Sequence, residues 1–138
     1  MAGKGRSREE VEARLARSPY HRWLGLRIGE IGEETIEIVM PWRDEILSRT
    51  EPHPVVHGGI LGSLIDMAGL FAVYASGATP TGTAYMHVDY HRPATAGPLT
   101  AKARILKLGR SLSTAEIFIY GPDGKLLASG RGGYPCES

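Results

Sequence analysis

Apolar residues occupy nearly every side of a helix drawn through residues 57–75, HGGILGSLIDMAGLFAVYA. A helix that is apolar all round is typical of a protein core rather than of a surface. The segment has fewer than twenty residues and an aspartate, Asp66, near its middle, which makes it a poor membrane span. We therefore expect a long central helix, with a charge at Asp66 that must be paired or used because burying it is costly.

Alternation of apolar and polar residues with a period of two predicts strands on both sides of this helix. Two strands precede it, at 26–31 and 35–40, and four follow it, at 84–91, 99–105, 114–120 and 126–134. The last four are joined mostly by tight turns, which implies antiparallel pairing. The pattern as a whole predicts an α+β fold, in which a curved antiparallel sheet packs around one long helix.

The N-terminal quarter of the chain carries weaker patterns. Ser7 and Glu10 have the spacing of a capping box, which predicts a short helix over residues 8–17. Residues 1–6 are expected to be a loose tail, residues 20–24 a lid or packing segment, and residues 42–56 a loop. The predicted organisation is a tail with a short helix at 1–22, followed by a single domain at 23–138.

Composition narrows the class of protein. The 138 residues suffice for one domain with a core, and 42% hydrophobic content excludes a disordered chain. A net charge of +1 with mixed signs argues against nucleic acid as the partner. The single cysteine, Cys136, excludes an internal disulfide, and the N-terminus has no apolar signal-peptide core. We expect a cytoplasmic protein that does not associate with membranes.

Two glycines, Gly58 and Gly59, open the long helix. The N-terminus of a helix offers unpaired backbone N–H groups and a partial positive charge. Without side chains in the way, a substrate oxygen can approach these groups, which is the geometry of an oxyanion hole. The alternative is that glycine is needed for an unusual turn or for the close passage of a strand.

Asp66 has mostly small residues one helical turn away, including Gly62, Ser63 and Gly69. They leave room around the carboxylate, as a ligand pocket or a tight interface would require. The functional interpretation is a general base or a nucleophile. The structural alternative is a carboxylate bonded to a hydroxyl or a backbone group across a dimer.

The spacing of these two features predicts a site between chains. Gly58 and Asp66 are eight residues apart, or roughly 12 Å along a helix axis. One helix cannot easily present both groups to the same carbonyl, so the pair is expected to come from two chains. A single sheet also leaves part of an apolar helix uncovered, and a second copy is the simplest cover. We therefore expect a homodimer or a larger assembly with its site at the interface.

The run Pro54-Val55-Val56-His57-Gly58-Gly59 followed by Asp66 resembles the signature of hotdog-fold acyl-CoA thioesterases of the phenylacetate-pathway type. Residues 88–94 and 128–131 are similar to strands of that family, and the likeness covers about residues 23–134. The resemblance implies the hotdog fold, dimers and often tetramers, and hydrolysis of an acyl-CoA thioester. It implies no metal, and no cofactor other than the coenzyme A of the substrate.

The resemblance also implies roles for individual residues. The Gly58 N–H would hold the thioester carbonyl oxygen, and Asp66 of the partner subunit would act as base or nucleophile. Thr83 matches a position where the family often has a serine that helps to place water. The expected substrate-binding residues are Gly59 and, toward the phosphates of coenzyme A, Lys107, Arg110 and Ser111.

One position departs from the family pattern. Six residues before His57 the family often has an asparagine, and this chain has Glu51. Glu51 is open to three interpretations: a second acid, a substitute positioning residue, or a loop residue paired with Arg49. His57 itself is expected to cap and orient the start of the helix, with a role as general base as the alternative.

Other interpretations compete with thioester hydrolysis. A non-catalytic module that binds acyl-CoA could use the same scaffold, whereas a hydratase or dehydratase would place its histidine and acid differently. His87 and His91 share one face of a strand and could bind a metal, although a solvated face explains them as well. Trp23, Phe71 and Tyr74 could line an acyl pocket or simply pack in the core.

Overall fold

The computed structural model describes residues 5–137, which contain three α-helices and eight strands. The helices are α1 (Arg8–Leu15), α2 (Pro19–Leu24) and α3 (Gly58–Ala75). The strands are β1 (Arg27–Ile31), β2 (Thr35–Met40), β3 (Leu47–Arg49), β4 (Val55–Val56), β5 (Tyr85–Tyr90), β6 (Leu99–Lys107), β7 (Leu112–Tyr120) and β8 (Leu126–Pro135). A short 3₁₀ helix, Asp44–Ile46, precedes β3.

Six of the strands form one antiparallel sheet in the order β1-β2-β6-β7-β8-β5. The two strands before α3 and the four after it are those that the sequence predicts, within a few residues at each end. The strand β5 pairs with β8 rather than with β6, the next strand in the chain. As a result β5 is an edge strand and one of its two sides pairs with no other strand of residues 5–137.

The core lies between this sheet and α3, which contacts β2, β5, β6, β7 and β8. Alternation along the strands turns the side chains of Ile36, Ile38, Ile117 and Ile119 inward, and all four are fully buried. Burying a side chain of this size contributes about 1.5–3 kcal/mol. By length and composition alone α3 could cross a membrane, but most of it is buried in this core. The predicted α+β arrangement is confirmed.

One side of α3 is left open by its own sheet. Gly59, Ser63 and Asp66 all retain exposure, while β5 carries exposed apolar side chains next to them. Tyr85, Met86 and Tyr90 are 48%, 42% and 55% exposed. In the single chain α3 is therefore only partly buried, as expected for a helix covered by one sheet, because the strands cover only part of its surface.

The N-terminal segments hold two differences from the prediction. The helix α1 begins on the predicted capping box of Ser7 and Glu10, but it ends at Leu15. Residues 20–24, expected to be a lid or packing segment, belong to α2. This helix is capped by Ser18, begins at Pro19 and ends at Leu24, and Gly25 follows it with a φ of 72°. Proline at the first helical position and glycine after the last are ordinary helix signals.

A second correction concerns the expected loose tail. Residues 1–4 lie outside the described residues, but Arg6 is firmly held at the C-terminal end of α3. Its guanidinium donates to the backbone carbonyls of Tyr74 and Ala78, each across 2.6 Å, and lies 4.0 Å from the centre of the Tyr74 ring. The N-terminal segment is thus bonded to carbonyl groups in and just beyond the last turn of the central helix.

The expected loop at 42–56 also contains structure, because β3 and β4 form a separate antiparallel hairpin within it. The backbone N–H of Val56 donates to the carbonyl of Ala94, and that of His57 donates to the carbonyl of Ile46. These bonds fix the chain where it enters α3.

Candidate active site

The Asp66 carboxylate is held by Thr83. Asp66 lies in the middle of α3, and Thr83 lies in the segment just before β5, with its hydroxyl donating to Oδ1 of Asp66 across 2.5 Å. The N–H of the following residue, Ala84, donates to the carbonyl of Gly133 in β8, so this segment is tied to the sheet. In the single chain the Asp66 side chain is half-buried.

The start of α3 presents one free amide rather than two. His57 is the N-cap, and its Nδ1 accepts the N–H of Gly59 across 2.9 Å. The Gly59 amide is therefore occupied, contrary to the expectation of a bare pair. Among residues 5–137, no acceptor is bonded to the Gly58 N–H. Because Nδ1 is an acceptor here, the neutral ring carries its proton on Nε2, which favours the capping interpretation of His57 over a general base.

A residue that the sequence analysis did not single out, Tyr90, completes this end of the site. Its hydroxyl donates to the carbonyl of Gly58 across 2.7 Å, and its ring lies where a Cβ on Gly58 would come within 3.4 Å of it. The peptide between Gly58 and Gly59 is thus fixed at both ends, by Tyr90 on its carbonyl and by His57 on its N–H. In the sequence, the only indication of this contact was that an aromatic residue falls on the side of β5 that faces the helix.

The two halves of the site lie at opposite ends of β5. Tyr90, the last residue of β5, contacts Gly58, and Thr83, two residues before β5 begins, contacts Asp66. Both contacts are made to α3, where Gly58 and Asp66 are roughly 12 Å apart along the axis. One chain therefore does not bring the free amide and the carboxylate together.

A groove of about 280 Å³ runs beside Gly58, lined by Val55, Leu61, Tyr90, His91, Arg92 and Pro93. A larger cavity of about 620 Å³ lies on the opposite, outward face of the sheet, among residues such as Glu37, Lys102 and Tyr120. We take the smaller groove as the relevant one because it borders the free amide, whereas the larger one contains neither Gly58 nor Asp66.

The residues expected to bind coenzyme A phosphates lie on the hairpin between β6 and β7. Lys107, Arg110 and Ser111 are all exposed there. The Ser111 carbonyl accepts the N–H of Cys136, and the Pro135 carbonyl accepts the N–H of Thr81, in the segment that leads to Thr83. The hairpin therefore lies at the same end of the sheet as the Asp66 half of the site.

Glu51 lies on the exposed connection between β3 and β4. Within the described chain it forms no hydrogen bond or ion pair, and Arg49 donates instead to the carbonyl of His53. The interpretation of Glu51 as a partner of Arg49 is therefore wrong, and one chain does not join Glu51 to Asp66.

The remaining candidates are accounted for without ligands. Nε2 of His91 lies 2.7 Å from the Ser129 hydroxyl, and Nε2 of the exposed His87 lies 3.1 Å from a carboxylate oxygen of Asp89. No cluster of three metal-binding side chains occurs within residues 5–137. Phe71 is buried in the core.

Trp23 does not belong to the core. Its ring stacks on that of Tyr20 with centroids 6.2 Å apart, and each residue is 41% exposed. The Tyr20 hydroxyl donates to the Ser63 hydroxyl across 2.9 Å, which places this aromatic pair beside the open face of α3.

A family profile described as the thioesterase superfamily matches residues 53–128. The match covers more than half of the chain and includes α3 and both halves of the site. The chain belongs to the thioesterase superfamily. The resemblance to hotdog-fold thioesterases of the phenylacetate-pathway type is thereby confirmed, together with the hotdog fold.

Solved structures support the same assignment. A solved member of the thioesterase superfamily is 40% identical, with a TM-score of 0.86 over 92% of this chain and 96% of its own. The E. coli PaaI protein from the phenylacetic acid degradation operon is 25% identical, with a TM-score of 0.80 over 96% of this chain and 97% of its own.

One relative is named for a thioesterase activity. The proofreading thioesterase EntH of Cronobacter turicensis is 29% identical over 112 residues, which are 78% of each chain. Membership of the thioesterase superfamily and these likenesses support thioester hydrolysis as the general reaction and a hydrolase as the class of enzyme.

Proposed function

We propose that this protein is an acyl-CoA thioesterase whose active site is completed by two copies of the chain. The observation that carries the proposal is the division of the site between the two ends of β5. The free Gly58 amide lies at one end, and the Asp66 carboxylate, held by Thr83, lies at the other. Each half has what the other lacks: an oxyanion donor or a base.

The edge strand β5 offers a way to join the halves. Its free side carries unpaired backbone groups and exposed apolar side chains, a combination that proteins normally cover. If two copies pair through β5 about a two-fold axis, the strands run antiparallel, so the start of one lies beside the end of the other. Asp66 of the partner subunit then approaches Gly58, which solves the roughly 12 Å separation within one chain.

The chemistry follows from the two halves. The Gly58 N–H, at the positive end of α3, donates a hydrogen bond to the thioester carbonyl oxygen and stabilises the negative charge that develops there. Asp66 of the partner subunit either takes a proton from the attacking water or attacks the carbonyl carbon itself, giving an anhydride that water then opens. In the first route the proton that Asp66 takes from water passes to the departing sulfur. In the second route the departing thiolate takes a proton from solvent, and water then opens the anhydride to give the free acid and restore Asp66. In both routes the C–S bond breaks and coenzyme A leaves as its thiol.

Thr83 supports either route by fixing one carboxylate oxygen. With Oδ1 accepting the Thr83 hydroxyl, Oδ2 is the oxygen that acts on water or on carbon. The coenzyme A phosphates have exposed cationic side chains within reach on the β6–β7 hairpin, Lys107 and Arg110, at the Asp66 end of the sheet.

The direct test is thiol release from aromatic, short and long acyl-CoA substrates by wild-type protein and by Asp66→Asn. The substitution keeps the shape of the side chain and removes its charge, so we expect at least a 100-fold loss of kcat with the fold retained. Asp44→Asn, an exposed site away from α3, is the matched control. Wild-type rates in Asp66→Asn would contradict the proposal, and tight binding without thiol release would instead indicate a binding module.

A mixed dimer tests the division between subunits. In a heterodimer of an Asp66→Asn chain and a Gly58→Val chain, one site has both groups intact and the other has neither. We expect both parent homodimers to be nearly inactive and the heterodimer to recover about half of the wild-type activity. No recovery in a folded heterodimer would mean that each chain carries its own complete site.

A further inference from the structure

A tyrosine on β8 is buried in a slot that only glycine leaves open. Tyr134 is 0% exposed and packs with Val73 and Ala115. A methyl group placed on either Gly69 of α3 or Gly132 of β8 would overlap the phenol oxygen. The two glycines therefore allow the hydroxyl to reach the surface of the central helix.

The Tyr134 hydroxyl makes a single hydrogen bond within residues 5–137. Its acceptor belongs to Asp66, the proposed catalytic acid. The hydroxyl donates to the backbone carbonyl of Asp66 across 3.2 Å. The helix α3 runs on without interruption through this turn, so the same carbonyl also has its helical partner. The bond from Tyr134 is additional to the helix and is not required to complete it.

A phenylalanine would satisfy packing at this position equally well. Burying a hydroxyl costs free energy that its hydrogen bond only partly recovers, whereas an apolar ring avoids that cost. A phenol in a tight slot, directed at the one turn of α3 that bears Asp66, therefore does more than fill space.

The charge of Asp66 also affects the ionisation of Tyr134. Burial raises the pKa of Tyr134 far above its usual value, and the charges of Asp66 and Tyr85 raise it further. The hydroxyl therefore remains a neutral donor under all physiological conditions.

We propose that Tyr134 is a positioning residue for Asp66. Its hydroxyl fixes the backbone of the Asp66 turn against β8, while Thr83 fixes the carboxylate itself. Together they hold the acid at two points, so that Oδ2 is aimed consistently across the interface. This inference rests on the proposed function, because the aim of Asp66 matters only if Asp66 acts on a substrate.

The test compares Tyr134→Phe with wild type, with Tyr120→Phe as the control for loss of a phenol elsewhere in the sheet. We expect kcat to fall about five- to tenfold with KM within twofold, because one hydrogen bond is lost and the substrate contacts remain. An unchanged kcat, or a change confined to KM, would overturn the inference.

Two further measurements keep the test decisive. The ¹³C shift of the Asp66 carboxyl group at neutral pH reports on its surroundings without any turnover, and we expect it to change in Tyr134→Phe but not in Tyr120→Phe. If Tyr134→Phe does not fold, 4-fluorophenylalanine at position 134 fills the slot without donating a hydrogen bond and is judged by the same outcomes. A wild-type protein without thioesterase activity contradicts the proposed function, whereas an active wild type matched by Tyr134→Phe contradicts only this inference.

Discussion

The Thr83 hydroxyl donates to Oδ1 of Asp66 across 2.5 Å, joining the middle of α3 to the segment that precedes the edge strand. The bond gives the two carboxylate oxygens different surroundings. Oδ1 is engaged, whereas Oδ2 has no hydrogen-bond partner among residues 5–137. A carboxylate held in this way has one oxygen available for water or for a carbonyl carbon, and its rotation is restricted.

Replacing Thr83 by valine keeps the shape of the side chain and removes the donor. We expect kcat for acyl-CoA hydrolysis to fall about tenfold, because the carboxylate then samples unproductive rotamers. Thr83→Ser restores the hydroxyl and is expected to retain most of the activity. Thr81→Val removes a hydroxyl bonded to the Pro135 carbonyl and serves as the nearby control. Equal rates for Thr83→Val and wild type would show that Thr83 does not orient the acid.

Replacing Tyr90 by phenylalanine removes its hydrogen bond to the carbonyl of Gly58 while it preserves the ring on the exposed face. The Gly58–Gly59 peptide then keeps its helical bonds and its contact with His57 but loses one of the bonds that fix it, and the free amide loses part of its alignment. We expect a three- to tenfold fall in kcat with little change in KM, or about 1 kcal/mol of transition-state stabilisation. Steady-state kinetics beside Tyr120→Phe measure the effect, and a change confined to KM would place Tyr90 in substrate binding instead.

The cationic hairpin can be tested by shortening the substrate. Removing both cations with Lys107→Ala and Arg110→Ala is expected to raise KM for acyl-CoA about five- to tenfold and to weaken its salt dependence, because charge-assisted contacts to phosphate are lost. The KM for an acyl-pantetheine, which lacks the nucleotide phosphates, is expected to stay the same. Lys125→Ala, on the hairpin at the other end of β7, is the control. Parallel changes for both substrates would remove this hairpin from the proposed coenzyme A site.

Alkaline titration tests the buried state of Tyr134. Its pKa is raised by burial in the folded protein and is about 10 when the chain is unfolded. The folded state therefore keeps a proton that the unfolded state loses above pH 10, so the stability from this group is complete below that pH and declines as pH rises. The slope is up to about 1.4 kcal/mol per pH unit. Urea unfolding from pH 8 to 11 should show a steeper decline for wild type than for Tyr134→Phe.

Local sequence patterns predicted α3 and the strands of the main sheet but not all of the pairs that these strands form. The strands and α3 were identified because alternation and apolar runs are local properties. The pairing of β5 with β8 depends on contacts between residues far apart in the chain, such as Tyr90 and Ala128, and no local pattern encodes them. The edge position of β5, on which the proposed dimer rests, therefore came only from the structure.

The sequence predicted those site residues that belong to a recognisable motif. It missed those that join the site only through contacts made by the fold. His57, Gly58, Asp66 and Thr83 were named from the sequence, and the structure bonds Thr83 to Asp66. Apolar content predicted that one sheet leaves part of α3 uncovered but did not reveal which side, so the position of Asp66 on that side came from the structure. The occupied Gly59 amide depends on the rotamer of His57, which the sequence does not specify.

Gly69, Gly132 and Tyr134 form a set of three positions that constrain one another. A larger residue at either glycine displaces the phenol, and a smaller residue at position 134 leaves an empty volume that destabilises the core. These positions are therefore expected to covary in evolution. Relatives with alanine or larger at either glycine position should lack tyrosine on the last strand, and a change at one position should become tolerable only after another has changed.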